Sequence, residues 1–585
     1  MNRKTKPKPA ILLDTFSTQK ICFNIPDMLY FYKNIFNPLL FTVVLACFCS
    51  GKTKAQKVFF VNPSTNKILV IDPISFQDIA PGDSIILMAG TYSQILIRNL
   101  RGDKNSPIVI VNKGGPVVLS EGINYGIAVR NSKYLKIIGE NSNQNAPNEK
   151  GISIRDVSNG NGISLEDGTS QIEISGIGLY NIAKSGIMAK SDSNCQNDSF
   201  LRENFIFEGL IISNCVFDAI GDEGMYIGSS FYHGRTWDCD GGSKPVLEHL
   251  MQDVKIHDNV LNNIGKDAIQ VSSTPSNCQI FNNRVTLDSQ EMSFGQMSGI
   301  LIGGGSVCEV FNNFIADGMG SGIEVFGNSG NVIYNNVIVN PGSQLFPESS
   351  PQNFPKHGIY VKNITGESVF DIRIFNNTLI APKTSGINSP DALGNKTIIQ
   401  NNVIVNPGVF PIVANRAFID LNKSFPTEYS RANLFSNAID SLFFESSENY
   451  DFRQNFRSPL INSGLPIAGF DLNFDHDQLP RPKNGKMDMG AFEYQEIYKL
   501  NNAFGSLKIY PNPSTDYLNM KYLNIRENAG TIALINTNGV ILFQEKFQDE
   551  YSLDRILDLR QFPNGLYILK IDTKTTSLSH LLFKN

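Results

Sequence analysis

Three dipeptides and one loop hold most of the side chains able to do chemistry. Asp222-Glu223 stands immediately before Gly224-Met225-Tyr226-Ile227, Lys266-Asp267 before Ala268-Ile269-Gln270-Val271, and Lys356-His357 before Gly358-Ile359-Tyr360-Val361. Carboxylates and a lysine in such a set suit two proton-transfer chemistries. In an elimination, Lys266 is the base if burial and a nearby cation lower its pKa, and Glu223 with Asp267 hold that cation, a calcium ion by its taste for hard oxygen ligands. In a hydrolysis, two carboxylates at a fixed separation divide the acid and base roles, and Asp222, Glu223, Asp267 and Glu324 are the candidates.

The loop follows Ile227. Ser229 to Asp240 reads SSFYHGRTWDCD and carries the one tryptophan of the chain, Trp237, beside His233 and Arg235. A ring next to His, Arg and Asp on a long insertion makes a candidate wall for a catalytic cleft. The stretch Ser191 to Ser199 and a second insertion, Asn340 to Lys356, are placed to flank it. Alternation of side chains along strands puts Tyr226, Gln270, Leu301, Glu324 and Tyr360 in one outward column. Tyr226, Trp237, Gln270, Glu324, His357 and Tyr360 are therefore candidate ligand contacts. The competing reading is a solvated outer face, since a solenoid exposes polar side chains throughout.

A repeat positions these groups. The phrase apolar-aromatic-Asn-Asn recurs at Ile280-Phe281-Asn282-Asn283, Val310-Phe311-Asn312-Asn313, Ile333-Tyr334-Asn335-Asn336 and Ile374-Phe375-Asn376-Asn377, with variants at Ile256-His257-Asp258-Asn259 and Ile399-Gln400-Asn401-Asn402. The second positions are spaced by 24, 30, 23, 41 and 25 residues, a period in the low twenties with loop insertions, which means a solenoid. Between these phrases lie Gly-apolar-x-apolar runs, including Gly299-Ile300-Leu301-Ile302 and Gly322-Ile323-Glu324-Val325. Both phrases are too short for helices and rich in β-branched residues, so each turn contributes at least two strands. Asparagine at a fixed site suits a left-handed turn, and asparagines on successive turns can bond side chain to side chain.

Composition agrees. With 585 residues the chain exceeds one ordinary domain unless it repeats. Charged residues are 18% of it, below the ~25% of typical soluble domains, which excludes long helical or coiled-coil designs. A net charge of −5 without any basic block excludes generic binding to a nucleic-acid backbone. There is no nucleotide-binding glycine loop or nucleophile elbow, and no Cys/His spacing for zinc.

Residues 57–495 resemble the right-handed parallel β-helix of the pectin-lyase-like superfamily. Pro81-Gly82-Asp83-Ser84-Ile85-Ile86-Leu87 to Tyr92, then Ser106-Pro107-Ile108-Val109-Ile110, is similar to that family's first coils, and Asp488-Met489-Gly490-Ala491-Phe492-Glu493-Tyr494 to a closing segment. The resemblance implies a secreted protein that binds, and by elimination or hydrolysis cleaves, an acidic or plant/algal polysaccharide. The alternative it leaves open is a non-catalytic surface structure or adhesin. The chain departs from the named lyases: the place after Ile269-Gln270-Val271, where the similar branch has lysine, is Ser272, and neither clustered aspartates nor an arginine-centred pattern is present.

After Tyr494 the text changes. A linker, 496–505, leads to Leu507-Lys508-Ile509-Tyr510-Pro511-Asn512-Pro513, an Asn538-Gly539 hairpin signal and Gly565-Leu566-Tyr567 before two last strands. Residues 506–585 thus read as a small β-sandwich that resembles the C-terminal sorting domain of the type IX secretion system of Bacteroidetes. That implies secretion machinery as a partner and an extracellular or outer-membrane-surface location for an all-β, monomeric protein. At the other end, residues 1–56 read as an extension and signal peptide. Met28 is the expected true start, Pro38 to Cys49 the apolar stretch, and cleavage falls near Ala55. Val44-Leu45-Ala46-Cys47 is a rough lipoprotein box, with lipid anchoring as a minor alternative.

Removing that segment leaves Cys195, Cys215, Cys239, Cys278 and Cys308. Cys195 and Cys239 lie in polar stretches and can pair, whereas Cys278 and Cys308 sit in apolar runs and read as small buried hydrophobes.

Overall fold

The computed structural model of the protein describes residues 56–63, 67–140, 150–343, 354–364, 366–367, 369–408, 418–422, 430–483, 485–495, 506–523, 529–548, 552–574 and 577–585. The expected signal segment and most of the Asn340–Lys356 insertion lie outside them. From Val58 to Ser436 the chain winds as a right-handed parallel β-helix. A typical coil has three short strands, such as Ile269–Val271, Ser276–Phe281 and Arg284–Thr286. The first strands stack into a 12-stranded sheet, and the second and third run together into a 23-stranded one. Every pairing between coils is parallel, and like positions fall on like, as Ile269 on Ile300 and Ile323 on Ile359. The first apolar residues of these phrases, Met225, Ile269, Ile300, Ile323, Ile359 and Ile387, which follow a glycine or, at Ile269, Ala268, point inward and are wholly buried. A β-branched side chain stacked on its equivalent fills the bore without voids, so the repeat in sequence becomes the core.

The glycines before them have a separate cause. A Cβ on Gly322 would stand 2.6 Å from the carbonyl oxygen of Gly358 and 2.4 Å from a methyl of Ile338. Backbones of successive coils pass too closely there for a side chain.

The two asparagines divide their work at the turn between the second and third strands. The first takes the left-handed conformation, with φ between 53° and 57° at Asn282, Asn312, Asn335, Asn376 and Asn401. The second points inward. Its Nδ2 donates to Oδ1 of the next coil's asparagine from Asn259 to Asn283 to Asn313 to Asn336 to Asn377 to Asn402 to Asn433, each step 2.9 or 3.0 Å. The ladder runs one rung further than the sequence phrase shows, because Ala432 precedes Asn433 and takes the left-handed turn at φ 51°.

Coils end at Leu434–Ser436, short of the 495 expected. Residues 437–495 instead form a strap that returns along the asparagine turns. Asn401 donates to the Leu465 carbonyl at 2.7 Å, Asn376 to that of Asp488 at 3.0 Å, and Asn335 to that of Phe474 at 2.8 Å. The left-handed asparagines hold outward amides that need partners, and the strap supplies them. Its own hub is the buried Arg481–Glu493 pair at 3.0 Å, with Arg481 also donating to Asn335 Oδ1 at 2.7 Å.

Residues 506–585 form a β-sandwich of their own. Ser506–Tyr510, Tyr517–Leu523 and Ser552–Asp558 make one antiparallel sheet, and Gly530–Asn536, Ile541–Phe547, Gly565–Thr573 and Ser577–Lys584 the other. Leu518, Met520, Ile532, Leu569 and Ile571 lie between them. The Asn538-Gly539 turn has Gly539 at φ 78°, as a tight hairpin requires.

Cys195 and Cys239 form a disulfide with Cα atoms 5.7 Å apart. Cys278 and Cys308 are buried but correct the sequence reading: they too form a disulfide, Cα atoms 4.5 Å apart. They are register partners on adjacent coils, a juxtaposition that a separation of 30 positions hides from the sequence. Cys215 stays free and buried.

Candidate functional site

Parallel register brings the predicted outward column together. Tyr226, Gln270, Leu301, Glu324 and Tyr360 are successive partners on the first sheet, and the column continues to Asn388 and Asp420. Three of its members are nevertheless covered: Gln270, Leu301 and Glu324 are each less than a tenth exposed. Tyr226 Oη lies 2.8 Å from Ser230 Oγ, and Gln270 donates to the same oxygen at 2.9 Å, so the start of the insertion folds down over the strands.

A second column stands just before the glycines: Ser185, Glu223, Asp267, Ser298, Ser321, His357 and Ser385. Here the serines hold the acids. Ser185 donates to Glu223 Oε2 at 3.0 Å and Gln296 to Oε1 at 2.7 Å. Ser298 donates its N–H and its hydroxyl to Asp267 Oδ1, each at 2.8 Å, while Oδ2 has no partner. Burial raises the pKa of Glu223. For Asp267, wholly buried, desolvation lifts it well above the usual range against the Ser298 hydrogen bond, and the charges of Glu324 and Glu223 push the same way.

These columns meet at a pocket of about 490 Å³ walled by Glu324, Lys356, His357, Tyr360, Phe294 and Phe354. Burial raises the pKa of Glu324 in spite of Lys356. Lys356, 7% exposed, donates to the Met297 carbonyl at 3.4 Å; desolvation lowers its pKa although Glu324, Asp267 and Asp288 oppose that. Asp288 belongs to the same charge cluster, with a pKa pushed up to about 6 by burial. Desolvation thus works against the charged form of all four groups, the three carboxyls and the amine. His357 stacks on Tyr360 with ring centroids 5.3 Å apart, and its pKa is pushed down to about 4 by burial and then by Lys356. Its Nδ1 accepts from the Ser385 N–H at 3.4 Å, which leaves Nε2 to carry the proton of the neutral ring. Phe294, 82% exposed, leans against Phe354 at 5.2 Å and forms an apolar rim.

Lys266 lies outside this pocket. It pairs with Asp222 at 2.7 Å. Burial works against its charge, but the Asp222 hydrogen bond and the surrounding carboxylates outweigh it and raise the pKa, which favours the protonated amine. Around the carboxylates expected to hold calcium, hydrogen bonds are already in place. Both oxygens of Glu223 and one of Asp267 already accept hydrogen bonds, and among the described residues no three His, Cys, Asp or Glu side chains gather to hold a metal ion.

The insertion folds as a hairpin, Arg235–Cys239 against Gly242–Val246, tied to the 191–199 stretch by the Cys195–Cys239 disulfide and a Lys244–Asp198 ion pair at 2.5 Å. Arg235 is occupied by the buried Glu248 at 2.5 Å and covers Phe231 and Trp237 at 5.0 and 5.4 Å from the ring centres. His233 packs edge-on to Tyr232 and shares with Arg235 a separate pocket of about 640 Å³. Glu324, His357 and Tyr360 are thus joined in one site, whereas His233, Arg235 and Trp237 stand elsewhere. Lys356 and Asp288 acquire their importance only from burial by the chain around Met297, which no spacing signals.

Residues 251–456 match the family described as Right handed beta helix region, and residues 508–585 match the Secretion system C-terminal sorting domain. The chain is a right-handed parallel β-helix with a secretion sorting domain. Solved structures similar to this β-helix include an alginate lyase from Paenibacillus sp. str. FPU-7, 15% identical over 66% of this chain and 100% of that one, TM-score 0.33. A PL6 family polysaccharide lyase from Pseudopedobacter saltans is 14% identical over 63% and 92%, TM-score 0.31. The tailspike protein 2 active domain of bacteriophage CBA120 is 11% identical over 86% and 72%, TM-score 0.33. No curated protein matches the chain. The sorting domain makes the β-helix a secreted cargo.

Proposed function

We propose that this β-helix, delivered outside the cell by type IX secretion, binds an acidic polysaccharide in the Lys356 pocket and cleaves it by β-elimination. The observation that carries the reading is a buried lysine of lowered pKa beside two buried carboxylates of raised pKa, at a pocket with an aromatic rim. Protonated Glu324 neutralises the uronate carboxylate by a hydrogen bond, which acidifies the adjacent C–H. Lys356 in its free-amine form takes that proton. Tyr360, whose pKa burial raises, keeps its phenolic proton and donates it to the leaving glycosidic oxygen. The C–O bond breaks as the C=C bond forms, so the product carries an unsaturated end.

The test is incubation of the purified chain with alginate, polygalacturonate and chondroitin, following ultraviolet absorbance of the unsaturated product. Growth of that absorbance, lost in Lys356→Ala, supports elimination. Reducing ends without absorbance would replace it with hydrolysis, and retention on the polymers without any product would replace it with the adhesin reading.

A further inference from the structure

A second pocket, of about 330 Å³, lies against the 23-stranded sheet, apart from the Lys356 pocket on the 12-stranded one. Its floor is the aromatic ladder Phe281, Phe311 and Tyr334, whose rings stack at 4.8 and 4.9 Å within 5° of parallel. Those ring faces are spent on one another, so the ladder offers edges. The strap supplies the facing wall, where Phe474 is 57% exposed and has a ring face to give.

One polar atom here is out of pattern. Asn335 Oδ1 accepts from Arg481, Asn376 Oδ1 from Asn401, and Asn401 Oδ1 from the Leu465 N–H. At the equivalent turn Asn312 is 8% exposed, lines the pocket, and its Oδ1 has no donor. A buried amide oxygen without a donor is unfavourable, and a ligand hydroxyl would relieve that. The remaining polar wall is Asn282, Asn335, Asp471, Asn473 and Gln478, with no Lys, Arg or His among the lining side chains. That offers an anion no charged partner and favours a molecule rich in hydroxyl donors with an apolar C–H face. The volume is at the small end of ligand pockets, roughly 300–1,000 Å³.

We propose that this pocket binds a neutral sugar unit of a glycan chain, its hydroxyls donating to Asn312 Oδ1 and Asp471 and its C–H face packing on Phe474 and the ladder edges. The site does not depend on any chemistry at Lys356. It gives the β-helix a holding site selective for uncharged sugars on one sheet, apart from the Lys356 pocket on the other.

Electrophoresis of the full chain through native gels containing laminarin, xylan or galactomannan tests this, with alginate gels as the anionic control. At least one neutral polymer is expected to retard the protein. Phe474→Ala, at an exposed ring, and Asn312→Gly, which suits the left-handed turn while removing the oxygen, should each weaken that retardation at least tenfold. Both should leave retention by alginate unchanged. No retardation by any neutral polymer, or retardation indifferent to both substitutions in proteins of wild-type melting temperature, overturns the proposal.

Discussion

Ser298 holds Asp267 by one oxygen only: N–H and hydroxyl converge on Oδ1 at 2.8 Å each, and Oδ2 meets no donor. A carboxyl so placed is comfortable when Oδ2 is protonated. Folding then takes up a proton, because the folded pKa lies well above the unfolded value. This contribution is fully present below the unfolded carboxylate pKa and is lost as pH rises toward the folded one. Asp267→Asn, which mimics the neutral acid, should therefore gain on wild type as pH rises through that window, in melting temperatures measured across pH.

His357 has the opposite sign. Its folded pKa, about 4, lies below the unfolded value near 6.5, so the unfolded chain binds the extra proton in between. Stability falls as pH drops from about 6.5 to 4, by up to ~3 kcal/mol for a shift of this size. His357→Gln should flatten that part of the curve in denaturant titrations, and an unchanged slope would show that the ring is not buried neutral.

Lys356 and Lys266 separate the two readings of the site. Lys356→Ala should abolish elimination, a loss of at least ~10³-fold that includes the contribution of a positioned base. Lys266→Ala, which breaks a partly exposed pair with Asp222, should leave kcat within a few-fold. The reverse result in steady-state assays would return the base to Lys266.

Asn313 stands mid-ladder, donating to Asn336 and accepting from Asn283. Asn313→Ala strands polar groups on both neighbours and should cost about 2–4 kcal/mol. Asn433, the last rung, accepts from Asn402 and is partly exposed, so its alanine variant should cost less. Urea midpoints compare the two.

Cysteine mapping tests the register. Peptides containing Cys278 and Cys308 should be recovered linked, as should those of Cys195 and Cys239. Cys215, buried and with its thiol pKa pushed up to about 11, should label with maleimide only after unfolding. Cys278→Ala should lower stability by roughly 2–4 kcal/mol. Free thiols at Cys278 and Cys308 in the native protein would refute the stacking of their coils.

Much of the site was legible because parallel coils turn period into proximity. The column from Tyr226 to Tyr360 follows from the Gly-apolar-x-apolar phrase alone, since side chains on in-register parallel strands must stack. Asn433 was hidden because Ala432 stands where the phrase has asparagine. The strap was hidden because its partners are backbone carbonyls, which any sequence possesses.

The sequence by itself determined the winding: inward aliphatics, close-approach glycines and paired asparagines recur at fixed positions, and each satisfies a local requirement of packing, backbone or turn. Only the tertiary structure decided which polar groups were buried and drawn away from their usual pKa. Lys266 and Lys356 occupy equivalent places before their strands, yet Lys266 meets Asp222 while Lys356 is sealed beneath the chain around Met297. Charge is set by desolvation and by neighbours across coils, and both depend on loops of unequal length that obey no repeat.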